Sequence, residues 1–377
     1  MYQNIYVDYK TRTVHIWDDK LGHIKNPLSK YRYAYLKDPR GQRKAIDGKT
    51  VRVVKRWSEE DERSGKLYEY DVPMETKALI HEYGESDFPS SNHREFFFDI
   101  ETEILQGFPD WRDPVNKITA IAWYERSIDK YGVFVLDEKD RVKSISKDNC
   151  EVVICKTESE LLYKFLEKYI ELDPTILTGW NIEGFDVPYL YNRIKTVLGD
   201  DYANSLSPIG KVNYREHLDR YYIEGVSCLD YLPLYRKFTI GERSSYRLDA
   251  IGQAEVNLGK IEYEGTLDDL FEQDIDKYIE YNLNDVEIVK RLDDKLKFLD
   301  LTRAICHKGH VRYEYIHITS TYLEGAILTY CNRLGIVTKN KPEKRKREGK
   351  FTGAFVKVPN PGRYDWIYDL DLTSLYP

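Results

Sequence analysis

Cysteine is scarce and odd in number, with five residues at positions 150, 155, 228, 306 and 331. Their scattered spacing excludes a disulfide-stapled scaffold and a cysteine zinc site, and predicts reduced, mostly buried thiols. Long apolar runs are also missing. No stretch approaches the ~20 apolar residues that cross a bilayer. The start, Met1-Tyr2-Gln3-Asn4-Ile5-Tyr6, lacks a basic region followed by an apolar one, so a cytoplasmic protein without membrane contact is expected. Positive charge is not in excess, because 57 Lys and Arg face 64 Asp and Glu for a net −7. That argues against a passive nucleic-acid coat. It leaves room for an enzyme that grips an anion locally and crowds acids around metals. Gly-rich dinucleotide and P-loop patterns, internal repeats and long low-complexity tracts are all absent.

What is present fits two or three globular domains in 377 residues, with 41% hydrophobic and 32% charged residues. The 32 tyrosines suit surfaces that meet bases and sugars, although most serve in sheets and interfaces. Up to about residue 92, Ile5 to Tyr9 and Thr13 to Ile16 alternate as strands do. The Pro-Ser-Ser-Asn cluster at 89–92 marks a domain boundary. Beyond it, Glu95 to Glu101, Ile118 to Tyr124 and Tyr131 to Leu136 read as a leading three-strand meander. Thr157 and Glu160 open a helix running to about Ile170 in a capping-box arrangement. Pro174 to Trp180 and Gly225 to Asp230 read as strands, Val187 to Leu198 and Asp274 to about Leu299 as helices. This mixture of strands and helices predicts a layered α/β domain whose mixed order suits a ribonuclease-H-like sheet. The basic run Lys339 to Lys350 reads as a solvated loop, with a DNA-phosphate contact as the alternative.

Three sets of residues carry chemistry. Asp99 and Glu101 stand two apart on a predicted strand, so both leave one face of the sheet. Among 64 acids such a pair says little by itself. Its setting says more, because Phe96-Phe97-Phe98 precede it, Ile100 lies inside it, and unpaired carboxylates in a core strand are costly without a cation. Oxygen donors alone suit a hard ion such as Mg²⁺, and two ions about 4 Å apart hydrolyse phosphodiesters. Asp186, before Val187-Pro188, reads equally well as a helix cap. Tyr281 and Asp285, four apart on the longest predicted helix, share a face; alone, they read better as a packing ring and an exposed acid.

Order along the chain changes these weights. Phe98-Asp99-Ile100-Glu101-Thr102, Asn181-Ile182-Glu183-Gly184-Phe185-Asp186 and Tyr281-Asn282-Leu283-Asn284-Asp285 resemble the three exonuclease motifs of the family-B DNA polymerases. Asp369-Leu370-Asp371-Leu372-Thr373-Ser374-Leu375-Tyr376-Pro377 resembles their motif A. Residues 174–181, 189–195, 245–249 and 353–359 resemble the T-even-type bacteriophage group, and the resemblance is loosest before residue 90. It implies a mixed α/β, multidomain front part of a replicative, proofreading polymerase. An N-terminal domain would comprise residues 1–93 and a returning segment, 298–343. A ribonuclease-H-like 3′→5′ exonuclease domain would span 94–297, and residues 344–377 would begin the palm.

The resemblance also assigns roles. Asp99, Glu101, Asp186 and Asp285 would hold two Mg²⁺ ions, with Mn²⁺ as substitute, and Tyr281 would orient the attacking water. Phe108, Trp180, Asn181 and Phe185 would meet DNA. Asp371 would bind the polymerase metals, with Leu372, Ser374, Leu375 and Tyr376 facing the incoming nucleotide. Template-primer DNA is the expected partner. A second polypeptide with fingers, the rest of the palm and thumb is expected to complete the enzyme, a sliding clamp only for the complete polymerase. The alternative expectation is a non-autonomous subunit of a split polymerase, catalytic only with that second chain.

Overall fold

The computed structural model describes residues 1–104, 107, 109–143, 149–341, 357–368 and 370. Residues 1–340 form one compact unit and 341–377 a second, whose described residues lie in neither helix nor strand.

The first unit opens with an antiparallel meander of β1 (Tyr2–Asp8), β2 (Thr13–Asp18) and β3 (Gly22–Pro27). Along β2, Val14, Ile16 and Asp18 point inward while Thr13, His15 and Trp17 stay partly exposed, the period of a half-buried strand. A second sheet has the order β16-β5-β6-β4-β7. Its members are β4 (Ala34–Lys37), β5 (Arg43–Ala45), β6 (Thr50–Val54), β7 (Leu67–Tyr68) and, far along the chain, β16 (Ile336–Val337). Helices α1 (Glu59–Arg63) and α2 (Met74–Tyr83) complete this region.

A six-stranded sheet follows, in the order β11-β10-β9-β8-β12-β15. Strands β8 (Glu95–Thr102), β9 (Ile118–Glu125) and β10 (Lys130–Leu136) pair antiparallel as the expected meander. The rest, β11 (Cys150–Cys155), β12 (Ile176–Thr178) and β15 (Ser227–Cys228), add in parallel. This mixed order is ribonuclease-H-like. Two of its strands are shorter than expected. β12 ends at Thr178 because Gly179 lies so close to strand β8 that a Cβ would sit 2.5 Å from the Phe98 carbonyl, and Asn181 turns the chain at φ 65°. A hairpin of β13 (Val212–Arg215) and β14 (Arg220–Ile223) lies outside the sheet.

Helices cover both faces. On one, Phe96, Phe98 and Ile100 of β8 pack with residues of α3 (Glu158–Leu172) and α4 (Asp186–Val197). On the other, Phe97 packs with Tyr278, Ile279, Leu283 and Val286 of α9 (Ile275–Leu296). Strand alternation therefore turns Asp99 and Glu101 toward α9. Opposite them on β9 stand Ala122 and Ala120, small residues that leave room beneath the carboxylates. The remaining helices are α5 (Asp200–Asn204), α6 (Tyr231–Phe238), α7 (Leu248–Val256), α8 (Leu267–Gln273), α10 (Phe298–Gly309) and α11 (Thr319–Arg333).

Helix α9 starts on Asp274, whose side chain accepts from the Lys277 amide. It stops three residues before the expected Leu299, because Lys297 adopts the left-handed conformation and the chain re-enters a helix at Phe298. The expected capping box on α3 is half formed. Thr157 takes the Glu160 amide at 3.1 Å, whereas the Glu160 carboxylate takes the Lys156 amide rather than that of Thr157. The segment after α9 returns to the start of the chain: the Tyr2 hydroxyl donates to the carbonyls of Cys306 and Val311 at 3.0 and 2.8 Å, and β16 pairs with β5.

Candidate active site

Three elements deliver acids to one place. Strand β8 contributes Asp99 and Glu101, helix α9 contributes Asp285, and carboxylate oxygens of these three lie within 4.8 Å of one another. Asp186 comes from the first residue of α4 and is 4% exposed. Its cap reading does not hold. Phe185 is the residue that caps α4, and the Asp186 carboxylate instead accepts the Ile100 amide at 3.1 Å, between Asp99 and Glu101. The helix that carries Asp186 is thereby tied to the strand that carries the other two acids.

Helix α9 supplies more than its acid. Its Asn282, fully buried, donates to the Asp99 carboxylate at 2.8 Å and orients it. Tyr281 and Asp285 face a cation. The Lys260 ammonium donates to the Tyr281 hydroxyl at 2.9 Å and pairs with the Asp285 carboxylate. The backbone around Lys260 is pinned from two sides: its amide donates to Asp249 at 2.8 Å, and Asn284 of α9 donates to the Gly259 carbonyl at 3.0 Å. Gly252 of α7 makes this approach feasible, since a Cβ there would meet the Leu258 carbonyl at 2.4 Å. Tyr263 stands edge-on against Tyr281, with ring centroids 5.4 Å apart.

Four carboxylates with one ammonium among them are short of positive charge, and their proton affinities respond. Burial, then Asp186, Asp285 and Glu101, hold Asp99 well above the ordinary carboxylate range. Burial and Asp285 push Glu101 up to about 8. Asp186 is pushed up to about 7 by burial, against the pull of the Ile100 amide. Burial raises Asp285 too, with Lys260 opposing. Ionised acids crowded this closely need a cation or a proton.

The donor set fits a hard divalent ion. All converging atoms are carboxylate oxygens, and Asp285 keeps one buried oxygen, Oδ1, without any hydrogen-bond partner. Lys260 already brings a cation against the other oxygen.

A cleft of about 750 Å³ opens onto Asp99, Tyr281 and Asp285. Trp180 and Asn181 line it, whereas Phe185 packs on Tyr189 with centroids 5.2 Å apart. Phe108, Asp371, Leu372, Ser374, Leu375 and Tyr376 lie outside the described residues.

Two residues that the sequence reading missed hold the site together. Lys260 is one. Asp230, which is 2% exposed, is the other: it accepts the amides of Asn181 and Leu232 through Oδ1 at 2.9 and 3.0 Å, and that of Glu183 through Oδ2 at 3.1 Å. The loop that hands Asp186 to the site is folded around this carboxylate. Lys260 had no local signal, since its carboxylate partner lies 25 positions away in sequence, and Asp230 reads locally only as the cap of α6, the loop amides it gathers lying 49 and 47 positions away.

This fold and acid cluster define an exonuclease domain. A family model described as "DNA polymerase family B, exonuclease domain" matches residues 43–251, more than half of the chain. The chain belongs to DNA polymerase family B. Over 308 residues it is 34% identical to the DNA-directed DNA polymerase of Escherichia phage RB69, covering 74% of this chain and 34% of that protein. Against the DNA-directed DNA polymerase of Enterobacteria phage T4 it is 31% identical over 361 residues, 93% of this chain and 37% of that protein. A DNA polymerase of Thermococcus sp. (strain 9oN-7) is 27% identical over 328 residues, 82% of this chain and 39% of that protein. The chain thus spans just over a third of the length of each of these three relatives. Among the described residues, no helix is long and apolar enough to cross a membrane.

Proposed function

We propose that this chain carries a metal-dependent 3′→5′ exodeoxyribonuclease, the proofreading activity of a DNA-directed DNA polymerase. The observation that carries the reading is the convergence of the Asp99, Glu101 and Asp285 carboxylates within 4.8 Å beneath an open cleft. Asp99, Glu101, Asp186 and Asp285 would hold Mg²⁺, or Mn²⁺ in its place. Divalent ions held there would supply positive charge against the attacking water and the leaving 3′-oxygen. The chain's own groups do the rest. Tyr281, placed by α9 and by the Lys260 ammonium, orients water toward phosphorus through its hydroxyl. Lys260, exchanging its hold on Asp285 for a phosphate oxygen, stabilises the charge that builds there. Water adds to phosphorus, the 3′-oxygen of the preceding nucleotide leaves, and a nucleoside 5′-monophosphate departs. Trp180 and Asn181 grip the terminal nucleotide from the cleft wall, and Phe108 and Phe185 are proposed as further contacts.

The partners are the primer 3′ end, its single strand and the template-primer duplex, in a cytoplasmic setting. Asp371, with Leu372, Ser374, Leu375 and Tyr376, belongs to the polymerase metal and nucleotide site of the same enzyme. The proposed division assigns 94–297 to the exonuclease, 1–93 with 298–343 to an N-terminal domain, and 344–377 to the start of the palm. Pairing of β16 with β5 and the bonds from Tyr2 to Cys306 and Val311 support it.

The test is a 5′-labelled single-stranded oligonucleotide incubated with the chain, with Mg²⁺ or chelator, beside the Asp99→Ala/Glu101→Ala double variant. Stepwise, metal-dependent shortening from the 3′ end that the variant lacks is the expected result. A folded wild-type chain that shortens nothing overturns the reading.

A further inference from the structure

The cleft is anionic where a polyanion has to enter. Asp99, Asp249, Glu262 and Asp285 line it, and among the described residues only Arg247 and Lys260 bring positive charge to the lining. Lys260 is spoken for by Asp285 and Tyr281. The exposed guanidinium of Arg247 has no carboxylate, ring or hydrogen-bond acceptor against it among the described residues, in a chain where most arginines are paired. Its backbone, by contrast, is fixed. The Trp180 indole donates to the Tyr246 carbonyl at 3.2 Å, the Arg236 guanidinium lies 4.4 Å over the Tyr246 ring, and α7 begins at the next residue. A pinned backbone with an unpaired planar fork suits bidentate capture of a phosphate. At about 750 Å³ the cleft is near the top of the range that encloses one drug-sized ligand, with room for a nucleotide beyond the terminal one.

Resting on the exonuclease reading above, we propose that Arg247 binds the phosphodiester on the 5′ side of the scissile one, so that the enzyme distinguishes a DNA strand from a mononucleotide ester. A substrate's second phosphate, not its first, is what this residue recognises.

Two substrates separate the idea from its foundation. Oligothymidylate carries the second phosphate, and thymidine 5′-(p-nitrophenyl) phosphate lacks it. For Arg247→Gln, the ratio of kcat/KM on the oligonucleotide to that on the ester falls about tenfold, through KM rather than kcat. The slope of log KM against log salt becomes shallower by about 0.7, the share of one single-strand phosphate contact. Arg247→Lys keeps the slope and recovers part of the ratio. An unchanged ratio and slope, or an equal loss on both substrates with a lowered Tm, overturns the proposal. If the wild-type chain cleaves neither substrate in Mg²⁺ or Mn²⁺, the exonuclease reading falls and this one with it.

Discussion

Strand β8 and helix α9 meet charge against charge twice, and the two meetings are opposites. At one end, Glu95 of β8 and Asp293 of α9 share Arg126, whose Nη1 lies 2.5 and 2.6 Å from their carboxylates; Asp294 takes its Nη2 at 3.1 Å, and Arg303 approaches Glu95 at 3.8 Å. Asp293 also accepts from the Tyr231 hydroxyl and the Leu299 amide. Every acid there has a cation. At the other end, two turns of α9 away, Asp99, Glu101, Asp186 and Asp285 share one lysine, and Asp285 leaves an oxygen unbonded. The same strand and helix thus build a closed ionic joint and an open one. Closure marks a structural joint. An unmet demand for charge marks a place where something else binds.

Breaking the closed joint has the largest effect. Arg126→Ala strands Glu95 and Asp293, both buried, and costs about 3–5 kcal/mol in urea unfolding. A loss below about 1 kcal/mol would show that the joint is no more closed than the site. Next comes Asp230→Ala, which leaves the amides of Asn181 and Glu183 without their acceptor and costs about 2–3 kcal/mol. Because those amides shape the loop before Asp186, nuclease activity also drops, and more than it does in an Arg126 variant compared at equal folded fraction. Equal losses in the two variants would erase the distinction between joint and site.

How much of this was legible depends on the range of each interaction. Strand alternation put Asp99 and Glu101 on one face, and helical spacing put Tyr281 with Asp285, because both patterns repeat within a few residues. The meander and the mixed sheet were legible for the same reason. Asp186 was ambiguous because its local surroundings, a helix start before proline, suit a cap; only the Ile100 amide, 86 positions away, settles what its carboxylate holds. Arg126 and Lys260 were invisible. Each takes its meaning from a chain segment brought near by the fold, and nothing in their own neighbourhoods separates them from the other charged residues of this chain.

A buried cluster that holds no acid sharpens the contrast. Ser90 bonds His93, His307 and Tyr313 at 2.8, 3.0 and 2.7 Å, and burial lowers His93 to about 2 and His307 to about 3. Both histidines fold neutral, while the unfolded chain takes up their protons near 6.5. Below that pH the unfolded state binds more protons, so stability falls with acid by about 1.4 kcal/mol per pH unit for each histidine, down to about pH 3. Measured through pH 6.5 to 5 in the wild type and in His307→Gln, the slope should be shallower in the variant. Equal slopes would place acid sensitivity elsewhere.

The smallest effect is the most telling, because its sign is reversed. Asp99→Asn fixes as neutral a group that burial and its acidic neighbours already push toward the neutral form, keeps nearly the same volume and retains an oxygen for Asn282. Without divalent ion the variant should be as stable as the wild type, or more stable by up to about 1 kcal/mol, while strand shortening is lost. Adding Mg²⁺ should raise the Tm of the wild type by linkage, since the ion binds the folded state, and should raise that of the variant less. The opposite change at Arg126, where removing a charge unfolds the joint, sets the scale. If Asp99→Asn destabilises the metal-free protein by 2 kcal/mol or more, the acids at this end are already satisfied by the chain itself. The open joint would then be closed, and the case for an ion there would lose its physical ground.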